Sequence, residues 1–200
     1  MLSHHPNFGN LKRYDTSEFV NTAKMHKSFL AMPCKTARTV QTARFVNGGL
    51  SGGRCKYVAP ESWHNEYEPS DWSHFERILD LFVWSTKPPF GDPLFIQAER
   101  TVCNKRGVAP IDQKLTDWDE NNMRMVGMIC IGRENVMGGI HQFRAVHKPD
   151  DVLYSVLHPG HMVVFGNATR DPEVEYKLGE IKPKTLLLKG LWTCSTFTRE

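Results

Sequence analysis

Long apolar runs, paired cysteines and nucleotide-binding signatures are all missing from this 200-residue chain. No stretch of about 18 consecutive apolar residues occurs, so no helical membrane span is expected. The opening MLSHHPNFGNLKRYD lacks the apolar centre of a secretory signal, and a soluble intracellular protein, cytoplasmic by default, is the expectation. The five cysteines, Cys34, Cys55, Cys103, Cys130 and Cys194, are widely spaced and form no C-x-x-C pair. That spacing argues against a zinc ribbon and against a disulfide framework, leaving buried reduced thiols. The Gly-rich stretch Asn47–Gly53 has no following Lys-Ser or Lys-Thr and supports no phosphate loop. Internal repeats and low-complexity tracts are absent as well.

What remains is a soluble globular composition, 40% hydrophobic and 24% charged, at a length that fits one compact domain. The charge is unevenly placed. Residues 1–60 carry nine Lys or Arg against Asp15 and Glu18, whereas the rest of the chain carries sixteen against twenty acidic residues. A basic N-terminal third is where a protein partner or a larger assembly would dock, although a solvated face is the commoner origin of such a bias. Nucleic acid is compatible with the charge but unsupported by any RNP, zinc-finger or helix-turn-helix pattern.

Residues 1–40 read as a basic N-terminal helical segment. Thr16 or Ser17 caps a helix running to about Ala31, with Phe19, Val20, Ala23 and Phe29 on its apolar side and Pro33 beyond. A second helix is marked by Ser73 and Glu76, a capping-box spacing ahead of Ile78, Leu79, Phe82 and Val83, and KPPFGDP at Lys87–Pro93 stops it. The period then changes. Strand-like segments follow at Leu94–Val102, Met123–Ile131, Ile140–Val146, Val152–Leu157, Met162–Phe165 and Thr185–Trp192, separated by Gly, Pro, Asn or Asp. Two helices before six or more strands predict an α+β fold, a jelly-roll barrel with its N-terminal helices packed outside.

Four pieces of the chain carry a family likeness. Gln41–Pro60 has a Gln, Asn, Gly-Gly, Arg and aromatic-then-Pro succession. Arg100 lies near the end of a strand. Ile129–Gly139, ICIGRENVMGG, is followed by Gln142–Phe143, and His158–Phe165 reads HPGHMVVF. Together, from about Gln41 to Trp192, they resemble the 2-oxoglutarate/Fe(II) dioxygenases that hydroxylate free amino acids, the bacterial isoleucine-hydroxylase type. The resemblance implies a double-stranded β-helix (cupin-like) domain over residues 41–200.

Such enzymes hold Fe(II) with two His and one carboxylate, leave positions open for 2-oxoglutarate and O₂, and pair a basic residue with the distal carboxylate. The resemblance places the first two ligands in a His-x-Asp-Gly motif a fixed distance before Gly138–Gly139. In that register stand Asp119, Glu120, Asn121 and Asn122; the distal ligand falls near Asp171, and no His occupies any of these positions. Asp119, Asn121 and Asp171 form an oxygen-only set suited to Mg²⁺ or Ca²⁺ rather than to redox iron. For the cosubstrate, Lys184 (or Lys182) and Arg100 are the basic candidates, although Lys lacks the bidentate geometry of Arg.

The expected function is therefore that of a dioxygenase-like domain with a degenerate iron site and no cofactor, serving as a binding or structural component. If the domain is active, Fe(II) and 2-oxoglutarate are its cofactors. Two rivals stand beside this reading. An active hydroxylase of an amino acid or similar small molecule would draw unusual ligands from Asp117, Asp119 and a C-terminal His or Asp171. A cupin-like metal protein would use His141, His147, His158 and His161, the first two sharing strand parity if the strand is unbroken. Surface or capping roles are the commoner fate of such histidines, and solvation that of the acidic stretch Asp117–Glu120.

Overall fold

The computed structural model describes residues 11–30, 38–46, 56–60, 73–86, 93–103, 125–145, 148–166, 174–185 and 187–199. In chain order they form β1 (Lys12–Asp15), α1 (Thr22–Leu30), β2 (Arg38–Val46), β3 (Lys56–Pro60), α2 (Ser73–Thr86), β4 (Pro93–Cys103) and β5 (Met125–Glu134). Then come β6 (Val136–Gly138), β7 (Ile140–Ala145), β8 (Lys148–Val156), β9 (His161–Gly166), β10 (Val174–Leu178), β11 (Ile181–Pro183) and β12 (Gly190–Arg199). A seven-stranded antiparallel sheet runs β1-β9-β5-β12-β4-β2-β3. A smaller sheet is ordered β10-β7-β8, and β11 pairs with β6.

The near-continuous apolar run of β5 follows from burial on both faces. Val126, Met128 and Cys130 face the small sheet, where they pack with Phe143, Ala145, Phe165 and Val174. Ile129 and Ile131 face the other way, against Val20 and Met25 near and on α1 and Ile78, Leu79, Phe82 and Val83 of α2. The α2 stripe at i, i+1, i+4 and i+5 is the one its sequence periodicity predicts. Ile78, Leu79 and Phe82 are fully buried, each contributing roughly 1.5–3 kcal/mol. The result is a double-stranded β-helix with helices on its outer sheet, the α+β architecture anticipated from the sequence.

Three local expectations are corrected. The first helix starts at Thr22 rather than at 16–17, because Thr16 commits both its amide and its hydroxyl to the Gly160 carbonyl, at 2.9 and 2.7 Å. Asn21 caps α1 instead, its Oδ1 accepting from the Lys24 amide. Residues 12–15, too short and charged to read as a strand, pair with β9 as Lys12↔Val164 through Asp15↔His161. The final strand begins at Gly190, not Thr185. Leu187 and Leu188, apolar by sequence, are 94% and 65% exposed on a turn held by Asn135.

One irregularity reshapes the barrel. Thr193 pairs with Gly132 and Cys194 with Cys130, so Ile131 of β5 is an unpaired bulge residue. The bulge reverses side-chain parity beyond it. Gly132 faces α1, and Arg133, opposite Trp192, turns to the barrel side. Among the described residues no helix is long and apolar enough to cross a membrane.

Candidate functional site

The inner face of the small sheet holds the one strongly perturbed histidine among the described residues. His141 on β7 is 1% exposed, and its Nδ1 lies 2.9 Å from the Tyr176 hydroxyl of β10. Burial, reinforced by the positive charges of Arg133 and Arg13, pushes its pKa down to about 3, so the ring is neutral at physiological pH. The ring and the hydroxyl share this one hydrogen bond, and which of them donates follows the ring tautomer. Nε2 is buried without a protein partner, as are Ser155 Oγ and Trp192 Nε1. His141 and Trp192 share a narrow void with Met128, Cys130 and Leu157 that has no room for a water molecule. Burial likewise lifts the Cys130 thiol to about 12.

Around His141 the two sheets are bridged by aromatic rings. Phe165 of the large sheet packs edge-on against Phe143 at 5.4 Å and stacks on Tyr176 at 5.2 Å. Phe143 and Tyr176, cross-strand neighbours on the small sheet, lie 5.3 Å apart. The His141 ring completes the group at 5.8 Å from Tyr176 and 6.4 Å from Phe143. Such contacts stabilise the core beyond the area they bury.

The other candidate residues lie elsewhere. Arg100 shares the helix side of the sheet with Thr193, its register partner, and donates Nη1 to the Leu30 carbonyl at 2.9 Å. There it complements the C-terminal dipole of α1. Lys184 is exposed at the end of the barrel that carries the Gly138–Gly139 turn, and Lys182 pairs with Glu180 at 2.9 Å. His158 and His161 flank the Pro159–Gly160 turn with rings 5.5 Å apart, beside Arg13 and Asp15 and away from the void that His141 lines. The described histidines therefore do not converge. Asp117, Asp119, Asn121, His147 and Asp171 lie outside the described residues.

Two residues of consequence escape sequence reading. Tyr176 is 35 residues from His141 with no motif linking them, and Arg133 reaches the barrel side only through the bulge.

No family model matches the chain, and no curated protein matches it either. Solved structures do. IDO from Bacillus thuringiensis superposes with a TM-score of 0.68 over 96% of this chain and 92% of its own, at 13% identity. The Fe(II)/α-ketoglutarate-dependent dioxygenase TqaL gives 0.69 over 96% and 82%, at 10% identity. A bsmA homologue from Methylobium petroleophilum PM1 gives 0.61 over 89% and 80%, at 15% identity. At these identities the likeness establishes the fold. The chain resembles the 2-oxoglutarate/Fe(II) dioxygenases in its double-stranded β-helix.

The neutral His141 offers one nitrogen of the right kind, but no group of three His, Cys, Asp or Glu that could hold a metal occurs among the described residues. The middle of the barrel is filled by rings. Trp192 takes an inward position on the last strand, beside His141, Met128 and Cys130.

Proposed function

We propose that this chain is a dioxygenase-like domain whose iron site has been lost and which serves as a binding or structural component of an assembly. The observation that carries the reading is the aromatic bridge Phe143–Phe165–Tyr176, which occupies with side chains the middle of a barrel that a small cosubstrate would have to enter. The sequence adds support. Asp119, Asn121 and Asp171 stand where the resemblance asks for a His, an Asp and a His. The partner docks on the basic N-terminal third, residues 1–60, whose excess of Lys and Arg suits an acidic protein surface.

The deciding experiment is Fe(II) binding and 2-oxoglutarate turnover by the purified protein. Absence of saturable iron binding and of succinate release above a no-iron control is the expected result. Robust iron-dependent succinate release overturns the reading.

A further inference from the structure

Leu187 and Leu188 are 94% and 65% exposed on the turn that leads into β12. A single exposed leucine is ordinary, but here there are two and their backbone is fixed. Asn135 binds the turn from within. Its Nδ2 donates to the carbonyls of Thr185, Leu188 and Lys189, and its Oδ1 accepts from the Thr185 amide and hydroxyl. The Lys184 amide reaches the Asn135 carbonyl at 2.9 Å, and the Leu188 amide closes back on the Thr185 carbonyl at 3.3 Å. The fold therefore holds two large apolar side chains out in water, an arrangement that marks an interaction surface.

Two properties of the turn narrow what covers it. The backbone groups just named already have partners inside the protein, so the tip can leave water without stranding them. The second property is charge. Lys184 and Lys189 bracket the leucines, both exposed, and no carboxylate among the described residues pairs with either. Lysine is depleted from protein–protein interfaces, and two leucines fall far short of the roughly 800 Å² that each partner of a standard one buries. An anionic bilayer surface, by contrast, attracts each nearby lysine and accommodates its apolar stem. Met137 of β6, the register partner of Lys182 and 53% exposed, adds apolar surface on the adjoining strand pair.

We propose that this turn docks the protein on an anionic lipid surface, with Leu187 and Leu188 entering the boundary between headgroups and acyl chains and the flanking lysines facing the headgroups. The attachment is peripheral and reversible, since two side chains enter the interface and no segment spans it.

The test is co-sedimentation of the intact protein with vesicles of phosphatidylcholine alone and of phosphatidylcholine and phosphatidylserine in equal parts. Wild type is compared with Leu187→Ser, Lys189→Gln and Lys27→Gln, whose substituted side chains are all exposed, so the fold is retained. Wild type is expected to bind the mixed vesicles about tenfold more tightly than phosphatidylcholine alone. Leu187→Ser weakens that binding about tenfold and Lys189→Gln about fivefold. Lys27→Gln, on α1 in the basic N-terminal third, leaves it unchanged. Wild-type binding by Leu187→Ser, equal losses in Lys27→Gln and Lys189→Gln, or sedimentation with neither vesicle each overturns the proposal, the last in favour of a protein partner. None of these readouts depends on iron or on turnover.

Discussion

The imidazole of His26 fills the space that a side chain at Gly132 would need. The ring is held there from both sides, with Nδ1 2.8 Å from Thr193 Oγ1 and Nε2 2.9 Å from Glu134 Oε1. Three features thus meet on the helix side of β5: the glycine, the bulge beside it and the histidine of α1. Gly132→Ala forces the ring out and breaks both bonds. Urea denaturation is expected to show a loss of about 1–3 kcal/mol. An unchanged midpoint would mean that α1 rides freely over the sheet.

His141 makes stability fall on acidification. Its pKa is about 3 in the folded protein against 6.5 for the ordinary side chain, so the unfolded state binds the extra proton throughout that interval. Unfolding is therefore coupled to proton uptake below pH 6.5, and stability declines toward pH 3 by up to about 1.4 kcal/mol per pH unit; above pH 6.5 this group adds no slope. His141→Phe removes the titration while keeping an aromatic ring. Between pH about 7.5 and about 4.5 the variant is expected to lose roughly 2–3 kcal/mol less than wild type. Parallel slopes would place the acid sensitivity elsewhere.

The buried thiols are expected to be inert. With Cys130 at about 12 and Cys103 raised by the same desolvation, only a trace of thiolate exists at neutral pH. Alkylation of the native protein followed by peptide mapping should leave both residues unmodified until denaturant is added. Rapid native labelling of Cys130 would reveal frequent opening of the sheet pair.

Asn135 gathers the turn before the last strand. Its Nδ2 lies 3.3, 3.0 and 3.4 Å from the carbonyls of Thr185, Leu188 and Lys189, and its Oδ1 accepts from the Thr185 amide and hydroxyl. Its φ of 50° lies in the left-handed region that Asn tolerates better than Ala. Asn135→Ala is expected to cost about 2–3 kcal/mol and Asn135→Gly about 1–2 kcal/mol, the difference being the backbone term. Limited trypsinolysis at the exposed Lys189 provides a second readout, with faster cleavage in both variants.

Much of the barrel is legible in the sequence because two-sided burial writes itself as apolar runs. Met125–Ile131 and Met162–Phe165 are such runs, and α2 is written by its stripe of Ile78, Leu79, Phe82 and Val83. The short charged strand Lys12–Asp15 is not legible, since its place is set by backbone pairing to β9 rather than by its side chains. Leu187 and Leu188 mislead for the opposite reason: their apolar side chains sit in the open on a turn that Asn135 holds. As for the candidate site, the sequence names His141 but not its surroundings. Tyr176 and Trp192 reach it only through strand pairing and sheet closure across long sequence separations.

The position of β12 has a consequence for how the chain is made. It lies in the middle of the large sheet, pairing with β5 on one side and β4 on the other, yet it is the last strand in order. Until residues 190–199 leave the ribosome, β1-β9-β5 and β4-β2-β3 are two half-sheets with open inner edges. Each exposes backbone donors and acceptors to any passing strand. The molecule therefore completes its fold only after synthesis of this segment, and a ribosome stalled before Gly190 holds an aggregation-prone nascent chain rather than a partial domain.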